Sequence, residues 1–333
     1  MHDSMNEIDF VIIWVDGNDL QWRAEKNKYS PDENKFNIND VRYRDWNILQ
    51  YLFRGIEKFA PWVRTVHFVT CGHIPQWLNL DHPKLHFVKH SDYMDAEYLP
   101  TFSANPIELN IHRIEGLSER FVFFNDDTFL ISPVRETDFF HGGYPRNLAI
   151  LNPPTPNRHG ISTIILNDLG VIADHFRFMQ QFRLHWRKWL HPIYGLQNLR
   201  TVLLFPWRRY LGFYDPHLPA PFRKSTFEEV WKQEAALLKK ISSHRFRDDS
   251  DVNQYLMTYW QIASGEFEPG DPKIGRMYDV GTQIDTIADV IRNQKMKMIC
   301  VNDSEAVADF TGLRNQLVEA FDSILGEKSS FEK

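Results

Sequence analysis

The chain has 333 residues, of which 43% are hydrophobic and 25% are charged, and its formal net charge is −6. These values are typical of one large globular α/β domain or of two closely joined lobes, and the negative charge argues against nucleic acid as a general partner. The two cysteines, Cys71 and Cys300, give neither a disulfide framework nor a metal-ligand spacing, so we expect a reducing compartment.

The amino terminus is polar and continues directly into an apolar run. It lacks the basic start and apolar stretch of a signal peptide, and no run approaches the roughly 18 apolar residues that cross a bilayer. We therefore expect a cytoplasmic protein, with any membrane contact peripheral and at the inner face of the cell membrane.

Apolar runs alternate with helical patterns through about residue 135. Continuous apolar runs predict four strands, at 8–15, 63–70, 85–89 and 120–124. Helical spacing of apolar residues predicts helices at 37–59 and 107–117. The alternation predicts an α/β fold, with a mostly parallel sheet flanked by helices as in Rossmann-like and glycosyltransferase-like proteins.

The rest of the chain is predicted to be rich in helices. Residues 136–175 contain several prolines and are predicted as loops, and residues 176–210 as short helical pieces. The other predicted elements are helices at 225–242 (with Thr226 as N-cap), 251–263 and 305–325, a strand at 297–301 and a loose carboxyl terminus. We predict a single domain over 1–333, in which 136–333 completes a site begun by the α/β part, 1–135.

Polar clusters follow three of the predicted strands, at 16–19, 70–73 and 125–127. Ligands of parallel α/β sheets bind at the carboxyl ends of strands, so these clusters are expected to share one site. Asp126 and Asp127 are hard oxygen ligands that suit Mg²⁺ or Mn²⁺ bound together with a phosphate. The alternative is a turn in which the Asp side chains bond the backbone.

Three further residues are candidates for chemistry. Glu108, near the start of a predicted helix, is a candidate metal ligand, general base or partner of the helix dipole. His217, framed by Pro216 and Pro219, is a candidate base, and the alternative is a loop histidine bonded to backbone. Arg247 precedes a predicted helix and suits a phosphate, and the alternative is a capping ion-pair cluster on the surface.

Residues 183–210 interleave arginines with tryptophans and tyrosine. This pattern predicts an acceptor groove or a contact with anionic lipid headgroups. The alternative, which the sequence favours, is a solvated helix face whose long side chains lie along apolar surface.

The segments together resemble the Stealth family of sugar-phosphate transferases. That family is marked by four blocks, and the sequence contains a counterpart of each. They are IDFVIIWVDGND at 8–19; RYRDW to HFVT at 42–70 with LPTFSANPIE to FNDD at 99–127; DPHLPAPFRKSTFEEVW at 215–231; and FRDDSDVNQYLMTYW, ending near ICVNDS at 299–304. One departure is Cys71-Gly72-His73, where the family often has a different trio.

The resemblance implies roles for individual positions. The catalytic positions that it implies are Glu108, Asp127, His217 and Arg247. The substrate-binding positions that we assign within the blocks are Asp16, Gly17, Arg44, Asn125 and Asp251. Asp127 and Asp126 are the expected ligands of Mg²⁺ or Mn²⁺.

The resemblance also implies an activity. The expected reaction moves hexose-1-phosphate or HexNAc-1-phosphate from a UDP-sugar to an acceptor sugar hydroxyl, in a capsular or cell-surface polysaccharide. The acceptor would be a lipid-linked oligosaccharide or a polysaccharide, and the proton acceptor would be His217 or Glu108. The alternatives are a conventional metal-dependent glycosyltransferase and a polysaccharide-binding protein without catalysis.

Overall fold

The computed structural model describes residues 7–30, 45–156, 158, 160–303, 307 and 309–333. Arg44, one of the predicted substrate-binding residues, lies outside the described residues. So does the part of the predicted helix between 37 and 44.

The described residues form strands and α-helices that alternate as far as β4, except that β3 follows β2 without an α-helix between them. The strands are β1 Ile8–Ile13, β2 Val66–Thr70, β3 Leu85–Lys89, β4 Arg120–Phe124, β5 Thr128–Leu130, β6 Phe140–His141, β7 Tyr144–Asn147, β8 Ala220–Arg223, β9 Glu268–Pro269, β10 Gly275–Asp279 and β11 Met298–Asn302. The helices are α1 Leu20–Tyr29, α2 Leu49–Phe59, α3 Ala104–Asn110, α4 Glu136–Phe139, α5 Ile161–His175, α6 Phe178–Trp189, α7 Asn198–Leu204, α8 Lys224–Gln233, α9 Ala235–Ser242, α10 Tyr255–Ser264, α11 Val280–Arg292 and α12 Phe310–Leu325.

The central sheet has the order β3-β2-β1-β4-β8, and only β8 runs antiparallel to its neighbour. The middle strand is β1, and its residues 10–13 are all apolar because helices cover both faces of the sheet. Phe10 and Ile12 point into one apolar cluster with α2, α11 and α12, while Val11 points into a second cluster with α3, α8 and α10. The predicted fold class, a mostly parallel sheet flanked by helices with a helical carboxyl-terminal portion, is confirmed.

The register of the central sheet brings distant segments to one edge. Ile12 of β1 pairs with Phe124 of β4, so these two strands end side by side. Because β8 runs antiparallel to β4, the amino end of β8 lies at the carboxyl end of β4, where Ala220 pairs with Phe123. The loop that precedes β8 therefore meets the loops that follow β1 and β4.

A second sheet, β10-β11-β5, adds another segment to the same edge. Strand β5 follows β4 after a turn of three residues, and β11 pairs antiparallel with β5. Thr128 faces Cys300 in this pairing, and the Val301 N–H donates to the Asp127 carbonyl at 2.8 Å. The strand pairing thus fixes Cys300 beside the predicted metal ligand Asp127.

Several predicted elements were wrong. Residues 161–175 form the 15-residue helix α5 instead of a loop, because the prolines at 153–156 lie before it and an apolar face follows. Helix α1 was not predicted, and Asp19 begins it by accepting a hydrogen bond from the Trp22 N–H at 2.7 Å. The helix predicted at 107–117 occupies Ala104–Asn110, followed by one 3₁₀ turn.

The predicted N-cap Thr226 and the loose carboxyl terminus were also wrong. Thr226 lies inside α8, where it is buried and its hydroxyl contacts Gln261 at 3.4 Å. The terminus is held to α2: the Phe331 side chain is buried in the first cluster, and Glu332 pairs with Arg54 at 2.7 Å. The terminal segment ends in apolar and charged side chains that have partners, so it does not fray.

Candidate active site

Two loops and one strand converge at the carboxyl edge of the central sheet. The Asp127 carboxylate follows β4, the His217 imidazole precedes β8, and the Cys300 thiol belongs to β11. Ligand atoms of the three lie within 4.8 Å of one another. Cys300 Sγ lies 3.3 Å from Asp127 Oδ2, and His217 Nε2 lies 3.9 Å from the same oxygen.

The orientation of His217 is fixed by its loop. Its backbone has a φ of 51°, in the left-handed region, and its N–H donates to Asp215 Oδ1 at 2.6 Å. The Nδ1 atom is 3.0 Å from the Tyr255 hydroxyl on α10. Because Nδ1 has this partner, Nε2 is the ring nitrogen that faces Asp127 and the open cleft.

Glu108 lies on α3 behind these groups and is buried. Its Oε2 accepts a long hydrogen bond, 3.4 Å, from the Gln254 N–H at the start of α10. Burial raises the pKa of Glu108, while the positive charge of Arg247 and the Gln254 hydrogen bond oppose this rise, followed by His217. The structure therefore brings Glu108, Arg247 and His217 into one electrostatic neighbourhood, together with Asp127.

Arg247 is carried by a loop that Asp251 holds in place. One Asp251 oxygen lies 2.6 Å from His244 Nδ1, and the other accepts hydrogen bonds from the Asn105 side chain at 2.7 Å and from the Asp248 N–H at 3.1 Å. Asp251 is completely buried, and each of its carboxylate oxygens has a hydrogen-bond partner within the protein. The Asp251 carboxylate therefore supports the loop that carries Arg247, and its assignment to substrate binding stays a prediction.

Asp16 and Gly17 form the turn after β1. The Asp16 N–H donates to His73 Nδ1 at 2.9 Å, Asp16 Oδ1 accepts from the Asn18 N–H at 2.8 Å, and the Gly17 carbonyl accepts from Arg23 Nε at 2.5 Å. His73, in the trio that departs from the family pattern, thus has a structural role in this turn.

A cavity of about 980 Å³ opens beside this turn. Its walls include Asp16, His73, Trp14 and, from α12, Arg314. The combination of acids, a cation and aromatic rings suits a polar ligand that also has a flat face.

Two further carboxylates belong to this region: Asp45 lines the cavity, and Asp126 lies close enough to Asp45 and Asp127 for their charges to act on it. Burial, followed by the charge of Asp16, raises the pKa of Asp45. The Asp126 side chain is open to the cleft, yet the surrounding protein and the carboxylates of Asp127 and Asp45 raise its pKa to about 7. Asn125 is half-buried, and it lines the same pocket as His217.

One atom in this cluster indicates a cation. Asp127 Oδ1 is buried, yet it accepts no hydrogen bond from the described part of the chain. A carboxylate oxygen without a partner is costly unless a positive group lies against it. The donor set fits a metal ion with Asp127 as a ligand, and it offers His217 and Cys300 where the sequence predicted Asp126.

Sequence reasoning missed four supporting residues: Cys300, Tyr255, His73 and Asp168. Asp168 on α5 is completely buried, and its Oδ1 accepts from the Asn253 N–H at 3.2 Å. Burial raises its pKa well above the usual value, and the negative charges of Glu108 and Asp251 add to the rise. The sequence signal for Asp168 was an acid within an apolar helical pattern, which the prediction of a loop at 136–175 concealed.

No helix in the described part of the chain is long and apolar enough to span a membrane.

Comparison with known families matches two of the predicted blocks. The model described as Stealth protein CR1, conserved region 1, matches residues 6–33, and Stealth protein CR2, conserved region 2, matches residues 42–147. These matches confirm the first and second blocks. The third and fourth blocks, which contain His217 and Arg247, stay predictions at the level of the family models.

Several bacterial proteins are similar over nearly the whole chain. The capsular polysaccharide phosphotransferase WcwK of Streptococcus pneumoniae is 37% identical over 99% of this chain and 99% of its own length. The receptor polysaccharide phosphotransferase WefC of Streptococcus oralis is 42% identical over 98% and 100%, and the exopolysaccharide phosphotransferase cps2G of Lactiplantibacillus plantarum is 39% identical over 98% and 96%. The chain therefore belongs to the Stealth family of phosphotransferases.

Proposed function

We propose that this protein transfers a hexose-1-phosphate or HexNAc-1-phosphate from a UDP-sugar to a hydroxyl group of an acceptor sugar. The product is a phosphodiester linkage in a capsular or other cell-surface polysaccharide. The observation that supports the proposal is that His217 Nε2 lies 3.9 Å from Asp127 Oδ2 at the carboxyl edge of the sheet, while the positive charges of Arg247 and His217 act on the pKa of the buried Glu108. The polysaccharide phosphotransferases to which the chain is similar support the reaction class.

The reaction breaks one P–O bond and forms another. The acceptor oxygen attacks the β-phosphorus of the donor, the bond from that phosphorus to the bridging oxygen breaks, and UMP leaves with the bonding electrons. The hydroxyl proton passes to a base on the protein. Such a transfer depends mainly on alignment and on neutralising the charge of the phosphate oxygens.

His217 is the residue that we assign as the base. Its Nε2 faces the cleft, while the Tyr255 hydroxyl holds Nδ1. Glu108 is buried and reaches the Gln254 backbone, so it is less accessible to a substrate hydroxyl. We assign Glu108 to positioning Arg247, whose guanidinium would bind the phosphate that is transferred.

Asp127 is the residue that we assign to a divalent cation. Asp127, with Asp126, would hold Mg²⁺ or Mn²⁺, and the ion would neutralise charge on the diphosphate oxygens of the donor. The Asp127–His217–Cys300 cluster offers a second donor set, whose nitrogen and sulfur suit a softer ion such as Zn²⁺. If His217 were a ligand of that ion, it would not be the base.

The cavity beside Asp16 is the proposed site of the uridine nucleotide. It lies at the carboxyl ends of β1 and β2, where ligands of such sheets bind. The rings of Trp14 and His73 could stack on a base, and Arg314 could meet a phosphate. A lipid-linked oligosaccharide or polysaccharide acceptor would then approach from the side of His217.

The identity of the nucleotide product tests the reaction class. Wild-type protein, acceptor and a panel of UDP-sugars are incubated with Mg²⁺, Mn²⁺ or Zn²⁺, and released UMP and UDP are measured. Release of UMP with a phosphodiester signal in the ³¹P spectrum of the product supports the proposal. Release of UDP without that signal would identify a conventional glycosyltransferase, the competing function that strand-end acids also fit.

A substitution tests the cation. Asp127→Asn keeps the shape of the side chain, and we expect a loss of roughly 10²–10³-fold in kcat, the range seen when one charge-stabilising group is removed. Asp285→Asn, at an exposed position on α11, is the matched control and should stay within about threefold of wild type. Full activity of Asp127→Asn, or activity of the wild type in EDTA, contradicts the role of Asp127.

A further inference from the structure

An unusual charge distribution marks residues 176–214. This stretch contains seven of the 38 Lys and Arg residues of the chain and none of its 44 Asp and Glu residues. The charge of this segment is therefore opposite in sign to the net charge of the chain, which is −6. Any anionic partner would therefore meet a locally positive surface on an otherwise acidic protein.

The same stretch exposes large apolar side chains. Of the 15 large hydrophobic residues that are exposed in the described part of the chain, seven lie between residues 184 and 207. They are Leu184, Trp186, Leu196, Leu199, Val202, Leu203 and Trp207. Leu196 is 85% exposed and Leu203 71%, so these side chains are not the edges of core residues.

Helix α7 shows the pattern most clearly. Leu199, Val202 and Leu203 have i, i+3, i+4 spacing and form its exposed face, whereas Thr201 is buried and bonds the Leu151 N–H at 3.1 Å. A surface helix normally presents polar residues to solvent and apolar residues to the core. This helix presents leucine and valine outward, which a helix face solvated by long charged side chains alone does not explain.

The segments that carry these side chains are joined by an aromatic layer beneath them. Phe182 of α6 packs against Phe205, in the 3₁₀ turn after α7, with ring centroids 4.7 Å apart. Phe178 of α6 contacts both Phe205, at 6.3 Å, and Trp189, at 5.5 Å. The segments that carry the exposed apolar residues therefore pack against one another through these buried rings, and the exposed side chains point away from them.

Arginines flank the exposed apolar side chains. The exposed ones are Arg183, Arg187, Arg200, Arg208 and Arg209. No ion pair with the described part of the chain neutralises these five, whereas the neighbouring Lys188 pairs with Glu268 at 3.1 Å. Apolar side chains, tryptophans and unneutralised arginines together are the combination that binds the interface of an anionic bilayer.

We propose that the surface formed by residues 183–209 docks the protein onto an anionic lipid membrane. The leucines, valine and tryptophans enter the boundary between headgroups and acyl chains, and the arginines lie against lipid phosphates. This inference goes beyond the proposed function and does not depend on it, because lipid binding is measured without any sugar substrate.

Vesicle flotation of the full chain tests the proposal. We expect wild-type protein to float with vesicles of phosphatidylcholine and phosphatidylglycerol, to bind phosphatidylcholine alone at least tenfold more weakly, and to dissociate in high salt. The double variant Arg208→Glu/Arg209→Glu should lose at least tenfold in partition coefficient, since each basic residue contributes about fivefold. Leu199→Ser/Leu203→Ser should lose a similar factor.

Matched variants elsewhere on the surface provide the controls. Arg276→Glu/Arg292→Glu makes the same change in net charge, and Leu20→Ser/Leu80→Ser removes two other exposed leucines. Both should stay within about threefold of wild type. Equal losses in the controls, or no flotation of the wild type, would overturn the proposal.

A second copy of the protein is the other occupant of this surface, and a sedimentation experiment distinguishes it from a membrane. Sedimentation of the wild type without lipid gives its oligomeric state as a function of concentration. A monomer that floats with anionic vesicles supports membrane docking. A dimer that dissociates in Leu199→Ser/Leu203→Ser and does not float would instead make this surface an interface between two copies. Unchanged circular dichroism of the variants shows that they are folded.

Discussion

Three constraints fix the orientation of His217. Its backbone is left-handed, its N–H is bonded to Asp215, and its Nδ1 is held by Tyr255. These constraints leave Nε2 as the one ring atom directed at the cleft. The geometry suits proton transfer because the ring does not need to reorient when a substrate hydroxyl arrives.

Substitution of His217 tests this role. We expect His217→Gln to lower kcat by roughly 10²–10⁴-fold, the usual contribution of a general base, with little change in KM for the donor. The measurement is UMP release at saturating donor. Tyr255→Phe removes only the hydroxyl that orients Nδ1, and it should lose about tenfold or less. If the kcat of His217→Gln stays within tenfold of the wild-type value, Glu108 is the base instead.

Cys300 distinguishes two arrangements of the metal centre. Its Sγ lies 3.3 Å from Asp127 Oδ2, a distance at which the thiol donates a hydrogen bond. Cys300→Ser retains such a donor, so we expect activity with Mg²⁺ or Mn²⁺ within about threefold of wild type. Loss of more than a hundredfold, together with loss of bound metal by elemental analysis, would show that the sulfur is a ligand. Cys71→Ser, on the exposed turn after β2, is the matched control.

Among individual residues, the acids at strand ends were easier to predict from the sequence than the residues that contact them. Asp16 and Asp127 could be predicted because each follows an apolar strand, and the carboxyl ends of parallel strands meet. Cys300 could not, since its position depends on the antiparallel pairing of β11 with the three-residue strand β5, which was not predicted. Long-range pairing of short strands leaves little periodic signal in sequence.

At the scale of elements, the loop between α9 and α10 is a support for Arg247. Asp251 ties its two ends together by accepting hydrogen bonds from Asn105 and the Asp248 N–H and by contacting His244. Burial of a carboxylate is tolerated here because each oxygen has partners. The position of Arg247 therefore depends on a residue whose side chain is completely buried.

Removal of this support has two measurable consequences. We expect Asp251→Ala to lower the free energy of unfolding by about 3 kcal/mol, because buried donors lose their acceptor. We also expect a loss of activity, with a higher KM for the donor as Arg247 moves. Chemical denaturation and kinetics are measured on the same preparation. Asp248→Asn, an exposed acid in the same loop, should change stability by less than about 1 kcal/mol.

Stability unchanged in Asp251→Ala would contradict the assignment of Asp251 as a support. An unchanged KM together with a lowered free energy of unfolding would show that the loss of stability does not move Arg247.

The start of α10 shows why the sequence did not predict this role of Asp251. The predicted helix at 251–263 begins four residues later, at Tyr255, because Asp251 turns inward to close the loop.

At the scale of the whole molecule, the site is assembled by the central sheet. Its parallel order follows from continuous apolar runs, which is why the fold class could be predicted. The return of the chain as antiparallel β8 could not be predicted from the four-residue segment alone, yet it is this strand that delivers His217. The division into parts 1–135 and 136–333 stays a prediction.

One buried charge cluster ties the opposite end of the sheet together. Asp9 of β1 is completely buried, and its carboxylate accepts hydrogen bonds from Arg64 at 2.8 Å and from the Ser118 N–H at 2.8 Å. His67 Nε2 on β2 lies 3.0 Å from the same group. Burial by itself raises the pKa of Asp9, but the hydrogen bonds of His67 and Arg64 outweigh it, so the pKa lies below its usual range.

This depressed pKa predicts how stability depends on pH. A carboxyl group whose folded pKa is lowered stabilises the fold above its unfolded pKa of about 4, and that contribution is lost as pH falls through the folded pKa. We expect Asp9→Asn to lower the free energy of unfolding by about 3 kcal/mol at pH 7 and at pH 5, with a smaller difference below pH 4. Urea denaturation across this range measures it, with exposed Asp81→Asn as the control. A difference that stays constant below pH 4 would mean that Asp9 acts through packing, because a charge effect must disappear when the wild-type carboxylate takes up its proton.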